Sequence, residues 1–141
     1  MTGGATPPPP GFLPHDRRSP LTEPWEPLYS RRTGEAVIIG LWASPAHTNS
    51  RGLVHGGLIS ALADNAMGLS CGLRLGAGAS LLTVSLTVDY VGAARPGQWL
   101  EFATAFVKPG STLCFAQAFV TADGEAAARA NGVFRVVRRP D

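Results

Sequence analysis

The chain has 141 residues, 45% of them hydrophobic, and a formal net charge of +2. That length suits one domain with a usable core, and that apolar share excludes a disordered chain. The charge is too small to mark a nucleic-acid binder, although arginine supplies every cation except Lys108.

Prolines at positions 7–10, 14, 20, 24 and 27 forbid a regular helix or central strand over residues 1–30. The first ten or so residues are expected to be disordered. Phe12, Leu13, Leu21, Trp25, Leu28 and Tyr29 give the later part an apolar side that docks on the domain surface, with a polyproline partner segment as the second reading. The expected division is a partly disordered extension over 1–30 and a folded domain over 31–141. No basic stretch followed by an apolar run opens the chain, and every long apolar stretch is broken well short of ~20 residues, so neither secretion nor membrane spanning is expected. Cys71 and Cys114 stand alone, outside any CxxC spacing, as buried thiols do in a reducing compartment; the cytoplasm is the expected location.

A strand is predicted over 36–43, where Val37, Ile38, Ile39, Leu41 and Trp42 cluster. A loop follows, and then the spacing predicts a helix over 57–74. Gly57, Ala61, Asp64, Gly68 and Cys71 recur every three or four residues as a stripe of small side chains. Leu58, Leu62, Leu69 and Leu73 form a bulky stripe that anchors the helix. Gly76 and Gly78 stop it. After Ser80 the period becomes two: Leu82, Val84, Leu86, Val88 and Tyr90 alternate with polar residues, as in a half-buried strand. Turn signals at Arg95-Pro96-Gly97, Lys108-Pro109-Gly110 and Asp123-Gly124 separate further runs at 98–107, 112–121 and 126–138, which predicts an antiparallel meander. One strand, one enclosed helix and four antiparallel strands is an α+β layout whose sheet curls around the helix.

From Gly56 to Leu73 the only charged side chain is Asp64. A carboxylate on an apolar helix is costly unless paired or hydrated, which makes Asp64 the first functional candidate. Asn49, Gly52, His55, Gly56, Gly57 and then Asp64, on a strand–loop–helix–strands order, resemble the hotdog-fold superfamily and, within it, the PaaI-like (phenylacetic-acid-degradation type) acyl-CoA thioesterases. The likeness spans about residues 36–138 and leaves out the Pro-rich extension. It implies an α+β hotdog fold, an antiparallel β-sheet curled around one long central helix. It also implies hydrolysis of an acyl-CoA to a free acid and coenzyme A. The expected cofactor set is empty, coenzyme A being part of the substrate, and no metal, nucleic acid or membrane is expected. Homodimers with sites between subunits are implied, with homotetramers as a further assembly.

Carried over by position, the helix-start amide that polarises the thioester carbonyl falls on Gly57, and the carboxylate acting as nucleophile or base falls on Asp64. Asn49 matches an asparagine that helps hold the thioester or the water; an Asx turn in its own loop is the other reading. Thr83 falls where a hydroxyl lies near the attacking water, or is one polar position on a strand face. His55 is expected to support the loop and cap backbone groups. His47 and His55 lack a metal-ligand spacing. Arg51, Arg95, Lys108 and Arg129 are candidate contacts for the phosphates of coenzyme A.

Seven helical residues rise ~10 Å and return to nearly the same face. One carbonyl carbon therefore cannot be within bonding reach of both Gly57 and Asp64 of one chain, so a shared reaction centre needs a second subunit. The alternative to an enzyme is a non-catalytic acyl-CoA-binding hotdog module, against which Asp64 argues. A hydratase would need a histidine paired with an acid, and His55 stands beside two glycines.

Overall fold

The computed structural model describes residues 6–138. Its strands are β1 (Leu13–Pro14), β2 (Tyr29–Arg32), β3 (Val37–Trp42), β4 (Ala79–Tyr90), β5 (Trp99–Lys108), β6 (Leu113–Ala122) and β7 (Glu125–Arg138), with one long helix, α1 (Gly56–Leu75), between β3 and β4. Short 3-10 turns cover Glu23–Trp25 and Pro45–His47. All seven strands join one antiparallel sheet in the order β1-β2-β3-β5-β6-β7-β4.

Helix α1 lies across the inner face of this sheet, touching β3, β4, β5, β6 and β7. Leu58, Leu62, Ala66, Met67 and Cys71 are buried there against Leu41, Leu100, Phe102, Val120 and Phe134. The bulky stripe is shorter than its leucines suggest: Leu69 is partly buried and Leu73 is exposed. Cys71, expected on the small stripe, is instead fully buried beside Cys114, and burial first, then Cys114, pushes its thiol well above the usual range. Gly57, Ala61, Asp64 and Gly68 remain at least partly uncovered, so the small face is the one open to other molecules.

Two expectations for the strands are corrected. The last four strands are not a simple meander, because α1 carries the chain from β3 past β5, β6 and β7 and delivers β4 to the far edge, beside β7. Residues 91–98 then lead back to β5, which pairs with β3 and β6. Nor does β4 keep strict alternation. Its register against β7 shifts between Thr83 and Ser85, so Val84 is an extra residue and the side chains change phase there. Leu81, Leu86 and Val88 pack on the core, while Leu82 and Val84 are 57% and 60% exposed. The same shift turns Thr83 toward α1.

The Pro-rich segment wraps onto the sheet from the other side. β2 pairs with β3, and β1 adds a two-residue strand beyond it, edge positions that proline tolerates. Residues 1–5, within the stretch expected to be disordered, lie outside the described residues. Next to them the Pro7 carbonyl accepts a hydrogen bond from the Trp42 indole at 3.1 Å. Phe12, Tyr29, Ile38 and Trp99 form a second small core on the outer face, with Phe12 and Trp42 each meeting Trp99 edge-on at 5.1 Å between ring centroids. Gly40 makes this possible: a Cβ there would overlap the Trp99 ring and lie 3.1 Å from Phe12 Cε1. Gly40→Ala should therefore overpack the aromatic cluster and destabilise the protein by about 1–3 kcal/mol, seen as a lower urea midpoint at unchanged slope. An unchanged midpoint would show that Trp99 can move away without loss.

Candidate active site

The loop before α1 is built on Asn49. Its side-chain oxygen accepts from the amides of Arg51 (2.9 Å) and Leu53 (3.2 Å), and Gly52 turns the chain with φ +77°. The Asx-turn reading is thus the one the geometry displays, with the carboxamide oxygen engaged by its own loop. Beneath the loop, His47 is buried; its Nδ1 accepts from the Ser44 amide and its Nε2 hydrogen points to the Trp25 carbonyl at 3.0 Å. That histidine is a structural strut.

His55 is the N-cap of α1, and its Nδ1 accepts the Gly57 N–H at 2.8 Å. The imidazole lies so close over Gly57 that a Cβ there would come within 2.9 Å of Nδ1. This contact explains the histidine–glycine pattern physically. It also means that the amide expected to meet a substrate oxygen is held in place by an acceptor that such an oxygen would replace. Tyr90, at the end of β4, fixes the same helical turn: its hydroxyl donates to the Gly56 carbonyl at 2.7 Å and also pairs with Ser60 Oγ. Neither Tyr90 nor Ser60 is evident from the sequence, where an aromatic at a strand end reads as core.

Asp64 sits two turns further on, half-buried, and its Oδ1 accepts from the Thr83 hydroxyl at 2.7 Å. The β4 bulge brings that hydroxyl to the helix. Two cavities open on this side of the molecule. One, about 440 Å³, is lined by His55, Gly57, Leu58 and Ala61 together with Leu21 and Trp25. The other, about 640 Å³, contains Asp64, Thr83, Gly68, Gly72 and Phe134, and its wall includes residues of the Pro-rich segment. Neither cavity contains both Gly57 and Asp64.

Asn49 lines neither cavity, and nor do Arg51, Arg95, Lys108 and Arg129; Arg129 instead pairs with Asp89 at 2.9 Å. The cations at the Asp64 cavity are Arg17, Arg18 and Arg32, in or beside a segment that reads as a loose extension. The signals for them in the sequence are the doublets Arg17-Arg18 and Arg31-Arg32. Among the described residues, no three His, Cys, Asp or Glu side chains converge as metal ligands would, and no helix is long and apolar enough to cross a membrane.

Comparison with known proteins agrees with the fold. The sequence profile of the thioesterase superfamily matches residues 51–128, which run from the loop through β4 into β7. The putative esterase PA0474 of Pseudomonas aeruginosa is 35% identical over 129 residues, covering 91% of this chain and 96% of that protein. Acyl-coenzyme A thioesterase 13 of mouse (Mus musculus) is 33% identical over 89 residues, 62% of this chain and 61% of its own length. In structure, a point mutant of the phenylacetic acid degradation protein PaaI from Thermus thermophilus superposes with a TM-score of 0.73 at 21% identity, over 83% of this chain and 98% of its own. One long helix across an antiparallel sheet, a matching sequence profile and a relative aligned over nearly its whole length make this chain a hotdog-fold member of the thioesterase superfamily.

Proposed function

We propose that the protein hydrolyses an acyl-CoA thioester to a free acid and coenzyme A, at a site completed by a second copy of the chain. The observation that carries this reading is the separation of Gly57 from Asp64 into two cavities on one helix face, about 10 Å apart along the axis. The likeness to an acyl-coenzyme A thioesterase supports the substrate class.

The chemistry follows from what each group can do. The N-terminus of α1 presents amide hydrogens and a partial positive charge to an oxygen that becomes negative. The Gly57 N–H exchanges the neutral His55 Nδ1 for this oxyanion, a stronger acceptor. Asp64, oriented by Thr83, takes a proton from water as the water oxygen bonds to the carbonyl carbon, or bonds to that carbon itself and is released by water afterwards. In the first route, collapse of the tetrahedral intermediate breaks the C–S bond and the leaving thiolate takes the proton held by Asp64. In the second, the thiolate leaves as the Asp64 anhydride forms and takes up a proton released when water hydrolyses that anhydride to the free acid and the carboxylate. Asn49 acts as a positioner through the loop it shapes, and His55 by holding the amide in line.

The open edge of the sheet supports a place for the second copy. β4 ends the sheet as a 12-residue strand, and Leu82, Val84 and Tyr90 are each more than half exposed. A long, apolar, open edge is a template for pairing. Antiparallel pairing of two β4 strands about a two-fold axis lays the two α1 helices side by side and lets Gly57 of each approach Asp64 of the other.

The reading is tested by thiol release from a panel of aryl-, medium-chain and branched acyl-CoAs. Turnover of at least one at a kcat/KM of about 10⁴ M⁻¹s⁻¹ or more is expected. Binding of every member without turnover would establish the non-catalytic acyl-CoA-binding module instead.

A further inference from the structure

We propose that the Pro-rich arm is part of the substrate site: it closes one end of the Asp64 cavity and holds a negatively charged group of the substrate with Arg17, Arg18 and Arg32. This deepens the acyl-thioester reading of the same cavity and rests on it. The cavity runs from Asp64 and Thr83, past Gly68 and Gly72, to Arg17, Arg18, Arg32 and His15. Asp64 is the one carboxylate on its wall, against three guanidinium groups. Arg32 has only a long, exposed ion pair with Asp16 (4.0 Å), and Asp16 is not on the cavity wall. Arg17 and Arg18 form no ion pair among the described residues. Cations gathered at a concave surface and left without acids are what anion recognition requires.

Two further observations connect this charge to the reaction centre. Asp64, Gly68 and Gly72 follow one another at one-turn intervals, spanning about 12 Å of helix. The packing does not demand glycine at the latter two, since a Cβ would meet Phe134 at 3.5 Å and Leu81 at 3.7 Å, ordinary contact distances. What the missing side chains provide is an open groove between Asp64 and the arm. At the arm's end, His15 is only 7% exposed. Its backbone amide donates to the Leu28 carbonyl at 2.9 Å, the residue is one of those lining the cavity, and its Nδ1 is buried without a partner. Burial holds this imidazole below its usual pKa, against the opposing pull of Asp16 and Glu26. The arm is therefore anchored where its arginines line the groove.

The anionic group has two possible sources, a carboxylate at the far end of the acyl chain or a phosphate of coenzyme A. Calorimetric binding of non-hydrolysable thioethers separates them: S-hexyl-CoA, its ω-carboxylated counterpart, and S-hexyl-pantetheine, which has no phosphate. In an Arg17→Ala/Arg18→Ala variant, whose replaced side chains are exposed, affinity for at least one charged ligand should fall about 10-fold or more, with S-hexyl-pantetheine unaffected. Arg17→Lys/Arg18→Lys should retain most of the affinity. A loss confined to the ω-carboxylated ligand assigns the acyl end; an equal loss for both CoA ligands assigns the phosphates. Equal affinities of wild type and the alanine variant for all three ligands, absence of binding included, overturn the proposal. Thioethers are not cleaved, so this result is independent of turnover, and a protein that binds them but hydrolyses no thioester refutes the hydrolase reading alone.

Discussion

Asp64→Asn should lower kcat by a factor of about 10² or more with little change in fold or substrate affinity. The substitution is close to isosteric, and its carboxamide oxygen can still accept the Thr83 hydroxyl that now lies 2.7 Å from Oδ1. Asp64 is half-buried and outside the packed core, so the change removes basicity and nucleophilicity while leaving the packing alone. Steady-state kinetics and a thermal melt on the same preparation check both halves of the expectation. A variant with kcat near the wild-type value would remove Asp64 from the mechanism.

The second large effect is recovery of activity by mixing two inactive proteins. Gly57→Ala places a methyl group within 2.9 Å of His55 Nδ1, which displaces the imidazole and blocks the approach to the amide. Asp64→Ala removes the carboxylate. Each homodimer should be nearly inactive. When equal amounts are unfolded and refolded together, about half of the dimers are mixed, and each mixed dimer holds one intact site and one doubly damaged site, so about a quarter of wild-type activity should return. Sites confined to single chains would give no recovery. Mass spectrometry confirming the mixed dimer, with activity still absent, would refute the shared site. Asn49→Ala is the poorer partner for this test, because the Asn49 side chain holds its own loop together.

The helix and the five long strands were legible as apolar runs set apart by Gly- and Pro-containing turns, and glycine marked the stop of α1 at Gly76, where φ is +85°. Asp64 was legible for the opposite reason, as a single charge where the pattern permits none. What escaped the sequence depends on contacts distant along the chain. The bulge at Val84 leaves the composition of β4 unchanged, yet it decides that Thr83 faces Asp64. The place of β4 at the far edge follows from where α1 lands, which local propensity does not encode. β1 and β2 are too short, and too rich in neighbouring prolines, to show a period. They are held by Trp99 lying over Gly40 and by Phe12 against it. Arg17 and Arg18 escaped with them, because a charged doublet in a proline-rich stretch has the pattern of a solvated linker until the arm is seen against the Asp64 cavity.

The two edges of the sheet differ greatly: β1 is two residues ending in Pro14, whereas β4 runs for 12. A chain with two adhesive edges can add copies without limit and risks growing into a fibre. Here proline blunts one end, and the β4–β4 pairing proposed above would use up the other on both copies at once. Assembly through the sheet would then be self-terminating. The edge that is otherwise an aggregation hazard would be consumed in completing the proposed site, so that one contact would serve both activity and protection from further growth.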